Sequence, residues 1–172
     1  MEERLPMKPL ALVFALTLAL AGCAQFQQQA ALSSGISPGE VEWARKSGRN
    51  TVTGNASLKS GGTTYTCAGQ SANLIPDTAY ARARMTAIFG NATRGQRAAS
   101  LGPVKFERDD SLYVQSLRTA RCDASGSFSF PGVPDGVWYV TTSVKWQDGS
   151  QGSSMMQRVD VQGGRLVKVM LP

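Results

Sequence analysis

Histidine is absent from this chain. No Ser-His-Asp or Cys-His nucleophile pair can be assembled from it, and no histidine-ligated zinc site. A general base working near neutral pH would have to be a perturbed carboxylate or lysine. Acidic side chains are also scarce: 12 Asp and Glu stand against 18 Lys and Arg, a net charge of +6. A basic surplus suits anionic partners such as nucleic acid, lipid head groups or acidic polymers. Cysteine occurs only three times, never as C-x-x-C. Long apolar runs are missing as well. The longest, Leu10 to Leu20, reads LALVFALTLAL and falls short of the roughly 20 residues that a membrane-crossing helix needs.

What is present is enough for one ordinary domain with terminal extras. The chain has 172 residues, of which 42% are hydrophobic, near the globular norm. Its 18 glycines suit a turn-rich β fold better than a helix bundle.

The apolar run has the length of a secretory signal core, with Lys8 supplying a positive charge before it. Glu2 and Glu3 are out of place in such a leader, so translation from Met7 is an alternative start. Small residues and one cysteine end the run. LAGC, Leu20 to Cys23, resembles the lipobox of bacterial lipoproteins. That resemblance implies a signal peptide over 1–22, cleavage before Cys23, and acyl chains such as palmitate on Cys23. Such chains, at about 0.8 kcal/mol for each buried methylene, hold a domain on a membrane without a spanning helix. Ala24 rather than Asp follows the cysteine. By analogy with enteric lipoproteins this implies the outer membrane, with the domain facing the periplasm.

Residues 23–50 are rich in Gln, Ser and Gly, with weak apolar periodicity. Such composition is expected to form a flexible lipidated tether. PGEVEWARK, Pro38 to Lys46, dissents: it starts with Pro and acid and ends with base, as a helix does, and Trp43 could pack on the domain. Cys67 and Cys122 form an even pair, and an exported protein meets an oxidising compartment, so a disulfide is expected. A metal or redox pair is the alternative, with neither His nor C-x-x-C to support it.

From residue 51 the pattern alternates with period two. TVTGNASLK puts Val52, Gly54, Ala56 and Leu58 on one face. In GVWYVTTSVKWQ, Trp138, Val140, Thr142, Val144 and Trp146 share one face, with Tyr139, Thr141, Ser143, Lys145 and Gln147 on the other. DASG and PGVPDG are turn sequences between strands. Short strands at this spacing predict an all-β, antiparallel sandwich over 51–172. TAYARARMTAIF, Thr78 to Phe89, is either a helix or a strand and loop.

CDASGSFSFPGVPDGVWYV, Cys122 to Val140, resembles the hallmark of carboxypeptidase regulatory-like domains. TVTGNASL, SANLIP and VQGGRLVKVMLP resemble the strands on either side. The resemblance implies a seven- to eight-stranded transthyretin-like, or prealbumin-like, sandwich without peptidase activity of its own. The departure is the length of 78–117, read as one long insertion between strands.

That insertion carries most of the candidate chemistry. Arg82, Arg84, Arg94 and Arg97 belong to its excess of arginine over acid, with Tyr80, Phe89, Phe106 and Tyr113 interleaved. The arginines are either a solvated face or a binding surface for an anionic envelope polymer. An extracytoplasmic address argues against nucleic acid. Tyr139 and Lys145 are the alternative ligand-binding residues, on the outward sheet face. ERDD, Glu107 to Asp110, lacks EF-hand spacing and a second acidic cluster, so no metal and no cofactor are expected. Three functions compete. The first is a non-catalytic, lipid-anchored module binding an envelope polymer or a protein partner. The second is a carbohydrate-binding sandwich. The third, a hydrolase working through carboxylates, is disfavoured by the lack of histidine and of separated acidic pairs.

Overall fold

The computed structural model describes residues 27–107, 109–147 and 149–172. Ten strands follow in order: β1 (Asn50–Asn55), β2 (Ser57–Ser60), β3 (Thr63–Thr66), β4 (Ser71–Pro76), β5 (Arg94–Ala98), β6 (Arg118–Arg121), β7 (Ser127–Val133), β8 (Gly136–Trp146), β9 (Gln151–Val161) and β10 (Leu166–Met170). Helices α1 (27–34), α2 (Pro38–Val41), α3 (Ala79–Phe89) and α4 (Ser111–Ser116) decorate them.

The strands form an all-β sandwich. One sheet runs β10-β1-β7, the other β5-β9-β8-β4-β6, and β2-β3 is a separate hairpin. All pairings are antiparallel except β1 with β10. The first and last strands of the domain thus lie side by side, a pairing that no local hairpin could make.

Alternation along β8 works as the sequence implies on one face. Trp138, Val140 and Val144 are fully buried between the sheets, with Val52, Leu74, Phe128, Phe130 and Met155. Gly54 belongs to this face for a steric reason: a Cβ there would overlap the Phe128 ring. Cys67 and Cys122 are joined in a disulfide with Cα atoms 5.7 Å apart. It ties the end of the β2-β3 hairpin to the turn between β6 and β7.

Two expectations need correction. The outward face of β8 is not free, because the insertion folds back over it. Tyr139 is fully buried in a second apolar layer with Ile75, Tyr80, Met85, Tyr113 and Met156. The Thr78 hydroxyl caps α3 by accepting from the Ala81 amide, and Gly90 ends it in a left-handed conformation with φ 71°. After α3 the chain adds β5 to the sheet edge beside β9. The insertion is therefore a third layer and an edge strand, held by the apolar residues that alternate with its arginines.

The second correction concerns the tether. From residue 27 onward the segment is packed on the domain, with Ile36, Val41 and Ala44 buried. The Ser37 and Glu40 side chains form a capping box around α2. Arg118 then clamps this segment, donating to the carbonyls of Ala44, Lys46 and Gly132. Val41 and Ala44 lie in PGEVEWARK, the stretch whose helix start and packing Trp43 were legible; only Ile36, behind the Gln-rich run, was not.

Candidate functional site

The register of the five-stranded sheet determines what its outer face presents. Asn73 lies opposite Thr141, and Thr141 opposite Met156. One row further, Ser143 lies opposite Ser154, and Ser154 opposite Arg97. Lys145 projects from the same face of β8 two residues beyond Ser143. Helix α3 covers the Ile75–Tyr139 end of this face and leaves the hydroxyl-rich rows at its edge.

A cleft results between α3, α4 and the sheet. One part, of about 320 Å³, is lined by Ser71, Asn73, Thr141, Ser143 and Ser154 below, with Ile88 and Phe89 among its apolar walls. An adjoining part of about 470 Å³ shares Ile88 and Ser154 and is bounded by Arg84, Arg97, Phe106 and Lys145. The Ser143 and Ser154 hydroxyls lie 3.3 Å apart, and Asn73 Oδ1 accepts from the Thr119 hydroxyl. The Asn73 amide nitrogen and the Thr141 hydroxyl have no partner among the described residues, so they keep hydrogen-bonding capacity for a ligand.

The four predicted arginines do not all gather at one place. Arg82 is turned away to Asp77, a nearly buried carboxylate that also holds Arg158 at 2.6 Å. Arg94 stands on the opposite phase of β5 from Arg97 and is exposed. Arg97 lines the cleft while donating to the carbonyls of Leu101 and Gly102. Arg84 is mostly buried. Its guanidinium carbon lies 3.8 Å from the Phe106 ring centre, 4.8 Å from Tyr113 and 5.7 Å from Tyr80. It also donates to the Tyr80 hydroxyl and pairs with Asp109 at 2.6 Å.

Burial opposes the Arg84 charge, but the Tyr80 hydrogen bond, Tyr113 and Asp109 outweigh it, so its pKa is raised. The Tyr113 hydroxyl is pushed up to about 12, chiefly by burial, with Arg84 pulling the other way. Arg84 Nε is buried without a hydrogen-bond partner among the described residues.

Of the sequence candidates, Arg84, Arg97 and Lys145 therefore meet at one cleft, while Arg82, Arg94 and Tyr139 do not contribute to it. The floor residues Asn73, Thr141, Ser143 and Ser154 escaped notice as a site. Their only sequence signal was polar alternation, which reads as an ordinary solvated strand face. Two of the three ERDD acids are spent locally: Asp109 on Arg84, and Asp110 on the amides of Leu112, Tyr113 and Ile36. Trp146 packs against the core by stacking on Tyr65, with centroids 4.4 Å apart. Cys23, the proposed lipid site, and residues 1–22 lie outside the described residues.

A second concavity, about 730 Å³, opens on the far side along β1, β7 and β10. It is the more open of the two. Part of its polar lining serves a local turn: Asp123 accepts from Ser125 and Ser127, and Asn55 donates to Ser125 and Ser127. The cleft beneath α3 has walls from two layers and is the better candidate.

No family model matches the chain, and no curated protein matches it. A solved structure from Pseudomonas aeruginosa, a "putative carbohydrate binding protein", does. The two share 24% identity with a TM-score of 0.63, over 79% of this chain and 96% of that one. The likeness establishes the sandwich fold. The resemblance to carboxypeptidase regulatory-like domains stands at the same level, that of an all-β sandwich.

Proposed function

We propose that this chain is a non-catalytic binding module of the bacterial envelope that takes a saccharide chain into the cleft beneath α3. The observation that carries the reading is the cleft floor. Asn73, Thr141, Ser143 and Ser154 set an amide and three hydroxyls at strand spacing beside the apolar walls of Ile88 and Phe89. A sugar ring presents the complementary surface, hydroxyls around its rim and C–H groups on its faces. The structurally similar Pseudomonas aeruginosa protein, whose name refers to carbohydrate binding, gives the reading fold-level support. A non-catalytic role suits a chain without histidine and a cleft whose described lining contains no carboxylate. Its place in the envelope rests on LAGC: a lipid on Cys23 would hold the module at the outer membrane, facing the periplasm.

The test is calorimetric titration of the full chain, purified in detergent, with a panel of soluble oligosaccharides. Binding of at least one, lost in the Asn73→Ala, Thr141→Val double variant without a lowered melting temperature, is the expected result. Silence across the panel, or undiminished binding by the variant, overturns the reading.

A further inference from the structure

We infer that the basic end of the cleft selects an anionic saccharide, one bearing a carboxylate or phosphate; this rests on the saccharide reading above and names its ligand class. Three cations from separate elements border that end: Arg84 from α3, Arg97 from β5 and Lys145 from β8. Arg84 is already paired with Asp109, but the described lining offers no carboxylate to neutralise Arg97 or Lys145. Lys145 has no ion pair with a described residue.

The three are held differently, and the difference has chemical content. Arg84 is fixed before any ligand arrives, sandwiched among Tyr80, Phe106 and Tyr113 and anchored to Asp109. Its Nε remains buried and unpaired among the described residues. A group frozen in place loses little conformational entropy on binding. Arg97 is braced by the carbonyls of Leu101 and Gly102, neutral partners that leave its charge uncompensated. Lys145 is the exposed point charge at the mouth, carried on a flexible four-carbon stem. Planar guanidinium donors match the oxygens of a carboxylate or phosphate.

Sheet register adds the geometry. Arg97 lies directly across from Ser154, and Ser154 across from Ser143. The cations therefore continue the hydroxyl rows rather than forming a separate patch. A saccharide lying on those rows would place its next substituent against Arg97 and Lys145. Neutral sugars would leave these charges unused, whereas an acid group at that position would meet them in a recess walled by Ile88 and Phe106, where screening is weaker than on open surface.

The experiment uses a matched pair of probes, oligogalacturonate and its fully methyl-esterified form, which share one sugar backbone and differ at the carboxyl group, anionic in one and a neutral methyl ester in the other. A phosphorylated mannan oligosaccharide and its dephosphorylated form make a second pair, separating phosphate from carboxylate. The full chain is expected to bind the charged member of at least one pair about tenfold more tightly. Arg97→Gln and Lys145→Met should each cut that preference by about threefold, and the double variant should abolish it while keeping affinity for the neutral member. Lys168→Gln, on the other sheet, should leave the preference intact. Equal affinity within both pairs overturns the inference and leaves the saccharide reading standing. A preference reduced as much by Lys168→Gln as by Lys145→Met also overturns it, since net charge would then explain the binding. Failure of every probe to bind, charged or neutral, overturns this inference and the saccharide reading together.

Discussion

Trp43 stands edge-on to Trp138, ring centroids 5.0 Å apart. Trp138 is a core residue of β8, and Trp43 comes from the segment that leads into the domain. The Trp43 indole N–H donates to the Glu40 carbonyl, which fixes the ring from its polar side. This contact makes the leading segment part of the fold. Trp43→Ala should therefore lower the unfolding free energy by about 3 kcal/mol, the usual cost of truncating a large packed aromatic. Urea denaturation followed by circular dichroism measures it. An unchanged midpoint would show that residues 36–46 dock without contributing stability.

Gly136 makes that packing possible. Its φ of 149° lies in a region that side chains rarely adopt, and a Cβ there would overlap the Trp43 ring. Gly136→Ala should destabilise the chain by about 1–3 kcal/mol, through overpacking and backbone strain together. Thermal denaturation of the Trp43→Ala, Gly136→Ala double variant tests the mechanism. Relief of part of the glycine effect in that background is expected.

Arg84 holds the insertion by its ring contacts more than by its partly exposed ion pair. Arg84→Met is expected to cost about 1–2 kcal/mol. Arg94→Met, at an exposed position, should change stability by less than about 0.5 kcal/mol. Hydrogen exchange in α3 gives the local readout. Protection lost equally in both variants would contradict the cage.

Alkaline pH offers a reading of the same layer. The Tyr113 hydroxyl titrates near 12 in the folded chain, pushed up chiefly by burial, against about 10 when unfolded. A raised folded value favours the protonated native state. Its contribution is fully present below about pH 10 and is lost as pH rises toward 12, on the order of 2 kcal/mol. Tyr113→Phe should flatten the fall in the urea midpoint across that window. A variant with the parent's slope would assign the alkaline loss to other groups.

The disulfide closes a loop whose ends are 55 residues apart in sequence. Replacing both Cys67 and Cys122 by alanine should cost about 4 kcal/mol in the chain-entropy picture. The comparison is the melting temperature of the variant against the oxidised parent. A fall in the parent on reduction should match it.

The alternation of β8 was readable from the chain alone, because a strand buried on one face must repeat every second residue. So were the turn at Asp123, where a short side chain that accepts backbone amides was required, and the pairing of two lone cysteines. The lack of histidine excluded the common nucleophile designs by composition alone. Other features depended on contacts between residues far apart in sequence, and composition is silent about those. Tyr139 read as an outward residue because nothing nearby in the chain announced that Tyr80, Met85 and Tyr113 would cover it. The arginines read as one group because they are close in sequence. The helical turn of α3 and the strand phase of β5 sent Arg84 and Arg97 to one cleft, Arg82 to Asp77 and Arg94 to solvent. Asn73, Ser143 and Ser154 became a cleft floor only when the register set them side by side and the insertion walled them in. Local periodicity decides which face of a strand is apolar; what eventually covers the other face is decided by packing across the whole chain.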